Sequence, residues 1–382
     1  MKSINLLTRN LGLSTTNNII LDSVKRFARE ELTQYQNNRA TPEQTREIYK
    51  KFGEIGVLGC TADTQYTMKL PYKMYGLIAK EVEYVDSGLR SMLSVQSSLV
   101  INPIYRWGSG HLIHKYVEPL ANGSQIGCFG LTEPDSGSDA GSMRTRAVLD
   151  GNSYVINGSK TWITNSPVAD IMIVWAKEGD TTSGFVLDRT MHGIETPEIK
   201  NKMSLVSSMT GMINLSDVRV PKENKLNISG MKGPLSCLND ARLGISFGVL
   251  GAAEFCIEQV IDYGLNRNLF GSLLAEKQLY QSRITDMTSE YNLGLLASLN
   301  VADHVDQATS HPEMISLVKR NNCQKSLETA RKARDMLGGN GITQEYNIFR
   351  HMVNLETVNT YEGTHDIHTL ILGKYLTNKE AF

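Results

Sequence analysis

Ser153-Tyr154-Val155-Ile156, Asp170-Ile171-Met172-Ile173-Val174-Trp175 and Gly184-Phe185-Val186-Leu187 decide the fold class of this chain. Each run is short, rich in β-branched or aromatic residues, and bounded by Gly, Asp, Asn or Ser. That is the pattern of strands joined by turns, and it continues to about Val220-Pro221. On both sides the period changes. Before it, from residue 18 to 121, apolar residues recur at three and four, most clearly over 19–32 and 75–101. After Leu235 the helical pattern returns, and residues 244–265 carry Gly248, Gly251, Ala252 and Ala253, the small residues that close helix packing requires. The pattern predicts an α+β chain in three parts: a helical region over 1–121, a β region over 122–233 and a helical region over 234–382.

Composition excludes several classes of function. Apolar content of 41% and charged content of 21% are ordinary for a globular protein, and 382 residues suggest two or three domains or one elaborate one. A formal net charge of −1, with no basic tail, leaves no electrostatic footprint for nucleic acid. Cys60, Cys128, Cys237, Cys256 and Cys323 are odd in number, widely spaced and free of a C-x-x-C pair. They read as reduced thiols rather than a disulfide frame or zinc site. His365 and His368 stand three apart with no further ligands in reach, so no metal site is expected. No apolar run approaches membrane-spanning length. Residues 1–18 lack the apolar block of a secretory signal, although Lys2 and Arg9 on a Leu-rich background have the look of a weak presequence. The expected location is the cytoplasm or, for a mature chain, the mitochondrial matrix.

Three stretches suggest chemistry. Thr360-Tyr361-Glu362-Gly363-Thr364 sets one carboxylate among an aromatic, a glycine and two threonines, with no basic neighbour in sequence. Poor solvation disfavours the charged form and moves such a carboxyl toward the working pH, which suits a base that removes a weakly acidic C–H proton. Residues 129–139 form a loop of Gly, Ser, Thr and Asp beside Phe129, able to offer hydroxyls and backbone N–H groups to the edge of a flat ring. Glu83, Arg90, Ser94 and Ser97, spaced by seven, four and three, are predicted to share one face of a largely apolar helix. An arginine held there needs a partner, and a substrate carboxylate would supply a two-pronged one.

The order and spacing of three motifs resemble the acyl-CoA dehydrogenase family over almost the whole chain. Cys128-Phe129-Gly130-Leu131-Thr132-Glu133-Pro134-Asp135-Ser136-Gly137-Ser138-Asp139 is similar to its flavin-loop signature. Asp335-Met336-Leu337-Gly338-Gly339-Asn340-Gly341-Ile342 is similar to its C-terminal signature, and Tyr361-Glu362-Gly363-Thr364 to its catalytic segment. Arg90-Ser91 with 94–98, Lys160-Thr161-Trp162-Ile163-Thr164-Asn165-Ser166 and residues 359–368 resemble the glutaryl-CoA dehydrogenase branch.

The resemblance implies an acyl-CoA dehydrogenase-like fold: an N-terminal helical domain, a middle β-domain and a C-terminal four-helix bundle carrying catalytic Glu362. FAD is implied as cofactor, contacted by Phe129, Leu131, Thr132, Gly137, Ser138, Trp162, Ile163, Thr164 and Thr364. The remainder of the cofactor is implied to meet Arg267, Phe270, Gln278, Asp335, Gly338 and Gly339 from a neighbouring copy in a homotetramer, and the terminal Phe382 is implied to complete the FAD contacts. For the substrate, Arg90 is implied to bind the γ-carboxylate of glutaryl-CoA, with Glu83 tuning it and Ser91, Ser94, Tyr361 and Gly363 nearby. Leu235, Arg242 and Ser138 are implied at the CoA end, with Arg242 as the polar anchor. The implied reaction is oxidation and decarboxylation to crotonyl-CoA, with electrons passed to an electron-transfer flavoprotein. Other outcomes compatible with the sequence are a different short acyl-CoA, release of glutaconyl-CoA, or a flavin-bearing scaffold without catalysis.

Departures from the family pattern fall early. Residues 61–71 replace a glycine-rich loop, and His111 and His114 are expected in a turn.

Overall fold

The computed structural model describes residues 3–8 and 10–381. The first region consists of α1 (Thr15–Phe27), α2 (Pro42–Glu54), α3 (Tyr72–Val85), α4 (Ser87–Ser94), α5 (Asn102–Trp107) and α6 (Gly110–Ala121). Widened helical turns over Val95–Ile101 join α4 to α5. Thr41 starts α2 with a reciprocal capping box to Gln44.

The strands follow: β1 (Gly127–Gly130), β2 (Arg146–Asp150), β3 (Ser153–Thr164), β4 (Ile171–Glu178), β5 (Thr181–Asp188), β6 (Ile194–Glu195), β7 (Thr210–Pro221) and β8 (Lys225–Ser229). They form one sheet in the order β6-β7-β3-β2-β4-β5-β8, with β1 added parallel to β4. All three sequence runs that predict strands lie in it, and Ile171–Ala176 is buried on both faces.

Helices then return as α7 (Lys232–Asn266), α8 (Gln278–Asp306), α9 (Pro312–Met336), α10 (Ile348–Thr360) and α11 (His365–Thr377), with a two-stranded hairpin, β9 (Asn268–Leu269) and β10 (Ser272–Leu273), after α7. Helices α7 to α10 pack as a bundle, and α11 lies against α9. The fold is thus α+β, as the periodicity predicts. Two features differ from expectation. First, α7 is long and apolar enough to cross a membrane, but 78% of its most apolar window is buried inside the fold, where α3, α8 and α9 surround it. Second, His111 and His114 lie not in a turn but exposed on α6, which Ser109 caps.

The interface of α3 and α7 positions the site. A Cβ on Gly248 would sit 2.2 Å from Glu83 Oε2 and 3.1 Å from Arg90 Nε. Only glycine leaves room on α7 for that ion pair.

Candidate active site

The helix expected over 75–101 is not continuous. Asp86 adopts an extended conformation (φ −162°, ψ 136°), ends α3 and caps α4 through Gly88 N (2.7 Å) and Leu89 N (3.3 Å). Glu83 and Arg90 therefore belong to different helices, and the break turns them toward each other. Arg90 Nε donates to Glu83 Oε2 at 2.5 Å, and both side chains are fully buried. Ser94 and Ser97 are directed elsewhere. Ser94 Oγ meets Tyr75 OH at 3.2 Å, and Ser97 Oγ accepts Gly59 N–H at 3.0 Å.

Asp86 also ties the regions together. Its carboxylate accepts from Ser207 Oγ, from Arg350 Nη1 (2.6 Å) and from Asn354 Nδ2 (2.9 Å), the last two on α10. Helix α10 leads directly into Tyr361 and Glu362. One buried carboxylate thus sets the distance between the Arg90 helix and the segment that carries Glu362. The Asp-Ser-Gly sequence at 86–88 is an N-cap signal that marks this break.

Glu362 lies between α10 and α11 at φ +54°, a left-handed conformation that strains a residue with a side chain. Its Oε2 is enclosed and has no hydrogen-bond partner. Burial pushes the carboxyl above its usual range, while Arg90, Arg242 and Lys319 pull it back. The next residue, Gly363, has φ +96°, and a Cβ there would approach His368 Nε2 to 2.8 Å. His368 is fully buried with neither ring nitrogen hydrogen-bonded, and burial holds it down to about 3, so it is neutral near pH 7. Thr364 caps α11 through Ile367 N at 3.1 Å.

Arg90 reaches the same place. Its Nη2 donates to Tyr361 OH, which also meets Ser91 Oγ at 3.0 Å. Its Nη1 is buried without a partner, as is Glu83 Oε1. Glu83, Arg90, Ser91, Tyr361 and Glu362 are therefore brought together. Arg242, expected as an anchor for the CoA end, lies beneath the segment that carries Glu362. It is buried, with Nε donating to the Glu362 carbonyl at 2.7 Å and Nη1 to Asn239 Oδ1 at 3.1 Å. Leu235 and Ser138 are exposed.

The second group surrounds β1 and β3. The pairing of β3 with β7 slips between Lys160 and Ile163, and Trp162 takes φ +59°. This bulge turns the indole outward, 62% exposed, with Thr164 and Thr132 half-buried. Ile163, Leu131 and Phe129 are buried, the last edge-on to Trp175 at 6.2 Å. Gly137 is exposed.

The loop is held from below by a pair that the motif reading overlooks. Lys160 Nζ donates to Glu133 Oε1 (2.8 Å) and to the Leu131 carbonyl (3.0 Å). Glu133 also accepts Arg144 N (2.6 Å), Thr145 N (2.9 Å) and Thr145 Oγ1 (2.5 Å). An open aromatic face beside hydroxyls, backbone groups and a rigid loop fits an isoalloxazine ring.

A third group lies at one end of the bundle. Arg267, Phe270, Gln278, Asp335, Gly338 and Gly339 are all exposed. Phe270 is 92% exposed at φ +51° on the β9–β10 hairpin, and Arg283 on α8 pairs with Asp335 at 2.8 Å. Phe382 lies outside the described residues. The five cysteines are buried and unbonded.

An enclosed carboxyl suited to proton removal and, in the second group, an open aromatic face suited to a flat ring together point to a flavoprotein oxidoreductase. The family models of the acyl-CoA dehydrogenases match along the chain: the N-terminal domain at residues 14–124, the middle domain at 128–218 and the C-terminal domain at 229–377. The chain belongs to the acyl-CoA dehydrogenase family, and its cofactor is FAD.

Among its relatives, an acyl-CoA dehydrogenase of Bacillus subtilis (strain 168) is 31% identical over 92% of this chain and 96% of its own. The crystal structure of glutaryl-CoA dehydrogenase from Mycobacterium smegmatis is 40% identical, covers 100% of both chains and superposes with a TM-score of 0.96. A glutaryl-CoA dehydrogenase from Mycobacterium smegmatis in complex with FADH2 is 41% identical over 98% of each chain, with a TM-score of 0.94.

Proposed function

We propose that this acyl-CoA dehydrogenase oxidises and decarboxylates glutaryl-CoA, giving crotonyl-CoA and CO2. The observation that carries the substrate is Arg90, fully buried and gripped by Glu83 and Tyr361, with Nη1 left open. A buried cation with an unsatisfied donor calls for an anion, and a planar guanidinium matches a carboxylate. The γ-carboxylate of a glutaryl chain supplies one, whereas a simple alkyl chain leaves Nη1 unpaired. The likeness to two structures of glutaryl-CoA dehydrogenase points the same way.

In this reading the thioester carbonyl meets the Glu362 N–H and the α-carbon faces the Glu362 carboxylate. Glu362 takes the α-proton, a contribution of about 10²–10⁴-fold for a positioned base. The chemistry that bound FAD would supply is acceptance of the β-hydrogen with its electron pair. Arg90 holds the γ-carboxylate in place through this oxidation. Once Cα and Cβ are doubly bonded, loss of CO2 leaves its electron pair on Cγ, delocalised into the thioester. The proton on Glu362 returns to Cγ and completes crotonyl-CoA.

Phe129, Leu131, Thr132, Ser138, Trp162 and Thr164 would hold the flavin ring. Arg267, Phe270, Gln278, Asp335, Gly338 and Gly339 from a second copy would hold the remainder, within a homotetramer. Their exposure in the isolated chain supports that reading. Electrons would leave to an electron-transfer flavoprotein, since the oxidation produces no acceptor of its own.

The deciding experiment is anaerobic mixing of the yellow protein with glutaryl-CoA, with the CoA product identified by mass. Bleaching of the flavin with formation of crotonyl-CoA is the expected result. Glutaconyl-CoA as end product would remove the decarboxylation. Bleaching by butyryl-CoA but not by glutaryl-CoA would remove the substrate assignment.

A further inference from the structure

Three consecutive carbonyls around the catalytic residue are each taken by a cationic side chain. Lys319 Nζ, on α9, donates to the Tyr361 carbonyl at 3.1 Å and to the Gly363 carbonyl at 2.8 Å. Arg242 Nε takes the Glu362 carbonyl between them at 2.7 Å. Lys319 is fully buried, and no carboxylate among the described residues lies within ion-pair distance of it. A buried ammonium without a counter-ion is expensive, and it is tolerated here on two peptide oxygens and the nearby charge of Glu362. Burial draws it below the usual lysine range, while Cys323 and Glu362 hold it up.

The arrangement has a consequence on the opposite side of the same peptides. In a trans peptide the N–H points away from the C=O. With the Tyr361 and Glu362 carbonyls turned toward Lys319 and Arg242, the N–H groups of Glu362 and Gly363 face the other way. Among the described residues, neither has an acceptor within the protein. A cation on the carbonyl end also polarises the peptide and strengthens the donor at its far end.

We propose that Lys319 is a positioning residue which, through the Tyr361 and Gly363 carbonyls, fixes the strained Glu362 backbone and sharpens the Glu362 N–H as a donor to an enolate oxygen. This rests on Glu362 being the base of the proposed reaction. The ligand recognised is any acyl thioester whose carbonyl oxygen gains negative charge, whatever its acyl tail.

The test compares two CoA esters on the FAD-loaded protein. Acetoacetyl-CoA is acidic enough to bind as its enolate, which is read from long-wavelength absorbance against oxidised flavin. Crotonyl-CoA binds as a neutral ester. Lys319→Gln keeps a donor for the carbonyls but removes the charge. It is expected to weaken acetoacetyl-CoA about ten-fold or more, below the ~10²–10³ seen when an oxyanion donor is removed outright. Crotonyl-CoA affinity should change by less than about three-fold, roughly the size of one lost neutral contact. Equal weakening of both ligands would show that Lys319 merely supports the fold, and no change in either would show that its charge is not felt. Should K319Q fail to retain FAD, K319M is put through the same pair of ligands with the same expectation. The base assignment is tested separately with E362Q. If E362Q still reduces its flavin with acyl-CoA at the wild-type rate, that assignment fails whatever K319Q shows.

Discussion

Two buried ion pairs in this molecule are built in opposite ways. Glu133 and Lys160, beneath the flavin loop, have every side-chain polar atom engaged: the carboxylate takes two backbone amides, a hydroxyl and the ammonium, and the ammonium also takes the Leu131 carbonyl. Glu83 and Arg90, at the junction of α3 and α4, leave Oε1 and Nη1 open in a place that solvent does not reach. A closed network makes a scaffold, because each member is satisfied only in one arrangement. An open network waits for a ligand, because the unsatisfied atoms destabilise it until something fills them. Burial of charge alone does not distinguish the two; the inventory of unfilled atoms does.

The largest effect is expected from opening the closed pair. Lys160→Met leaves Glu133 buried without its cation, and removing one partner of such a pair costs about 3–5 kcal/mol. The flavin loop should loosen, so the purified variant should carry less FAD and unfold at lower temperature. Both can be read from absorbance and a thermal scan. A variant with full flavin content and unchanged unfolding would remove the scaffold role.

The open pair should respond differently. Arg90→Met removes the group assigned to the γ-carboxylate, and a charged hydrogen bond of this kind contributes about 1.5–3 kcal/mol, roughly 10- to 150-fold in affinity. Turnover of glutaryl-CoA should fall by that much, and turnover of butyryl-CoA by far less. Because Glu83 is then buried alone, the double variant E83Q/R90M should regain stability without regaining glutaryl-CoA activity. If the double variant recovers both, Arg90 acts through folding and the comparison collapses.

The sequence shows some of this and hides the rest, for physical reasons. Strand and helix regions were legible because their periods differ, and Glu362 because its neighbours deny it solvent. Arg90 was legible as a charge in an apolar helix, but its geometry was not. Helical spacing assumes an unbroken helix, and Asp86 breaks it, so Glu83 and Arg90 meet across a turn. The contact of Arg242 with the Glu362 carbonyl is hidden from the sequence, because that partner is 120 residues away and backbone acceptors leave no trace. Lys319 left a faint one. It falls on the buried stripe of α9 with Ile315, Val318, Asn322 and Cys323, a place where a lysine needs an explanation. Glu133 and Lys160 each stand in a quoted motif, yet nothing in either motif says that they touch.

The two regions should also part company as pH falls. Burial raises the Glu362 carboxyl above 4.5, against the pull of Arg90, Arg242 and Lys319. Its charged form is therefore lost first on acidification, and with it the base of the proposed reaction. Protonation relieves a buried charge, so this step removes activity without destabilising the fold. Glu133 runs the other way. Burial would raise it, but the hydrogen bonds from Lys160, Thr145 and the Arg144 amide hold it below 4.5. The stability it contributes is present above its unfolded value and disappears only as pH falls through the lower, folded one. Flavin reduction by acyl-CoA should accordingly fail at a higher pH than FAD retention, leaving a window in which the protein is yellow, folded and inactive. Stopped-flow bleaching and flavin fluorescence over one pH series measure the two limbs. Coincident limbs would mean that acid inactivates by unfolding, and that the satisfied pair is no better protected than the open site.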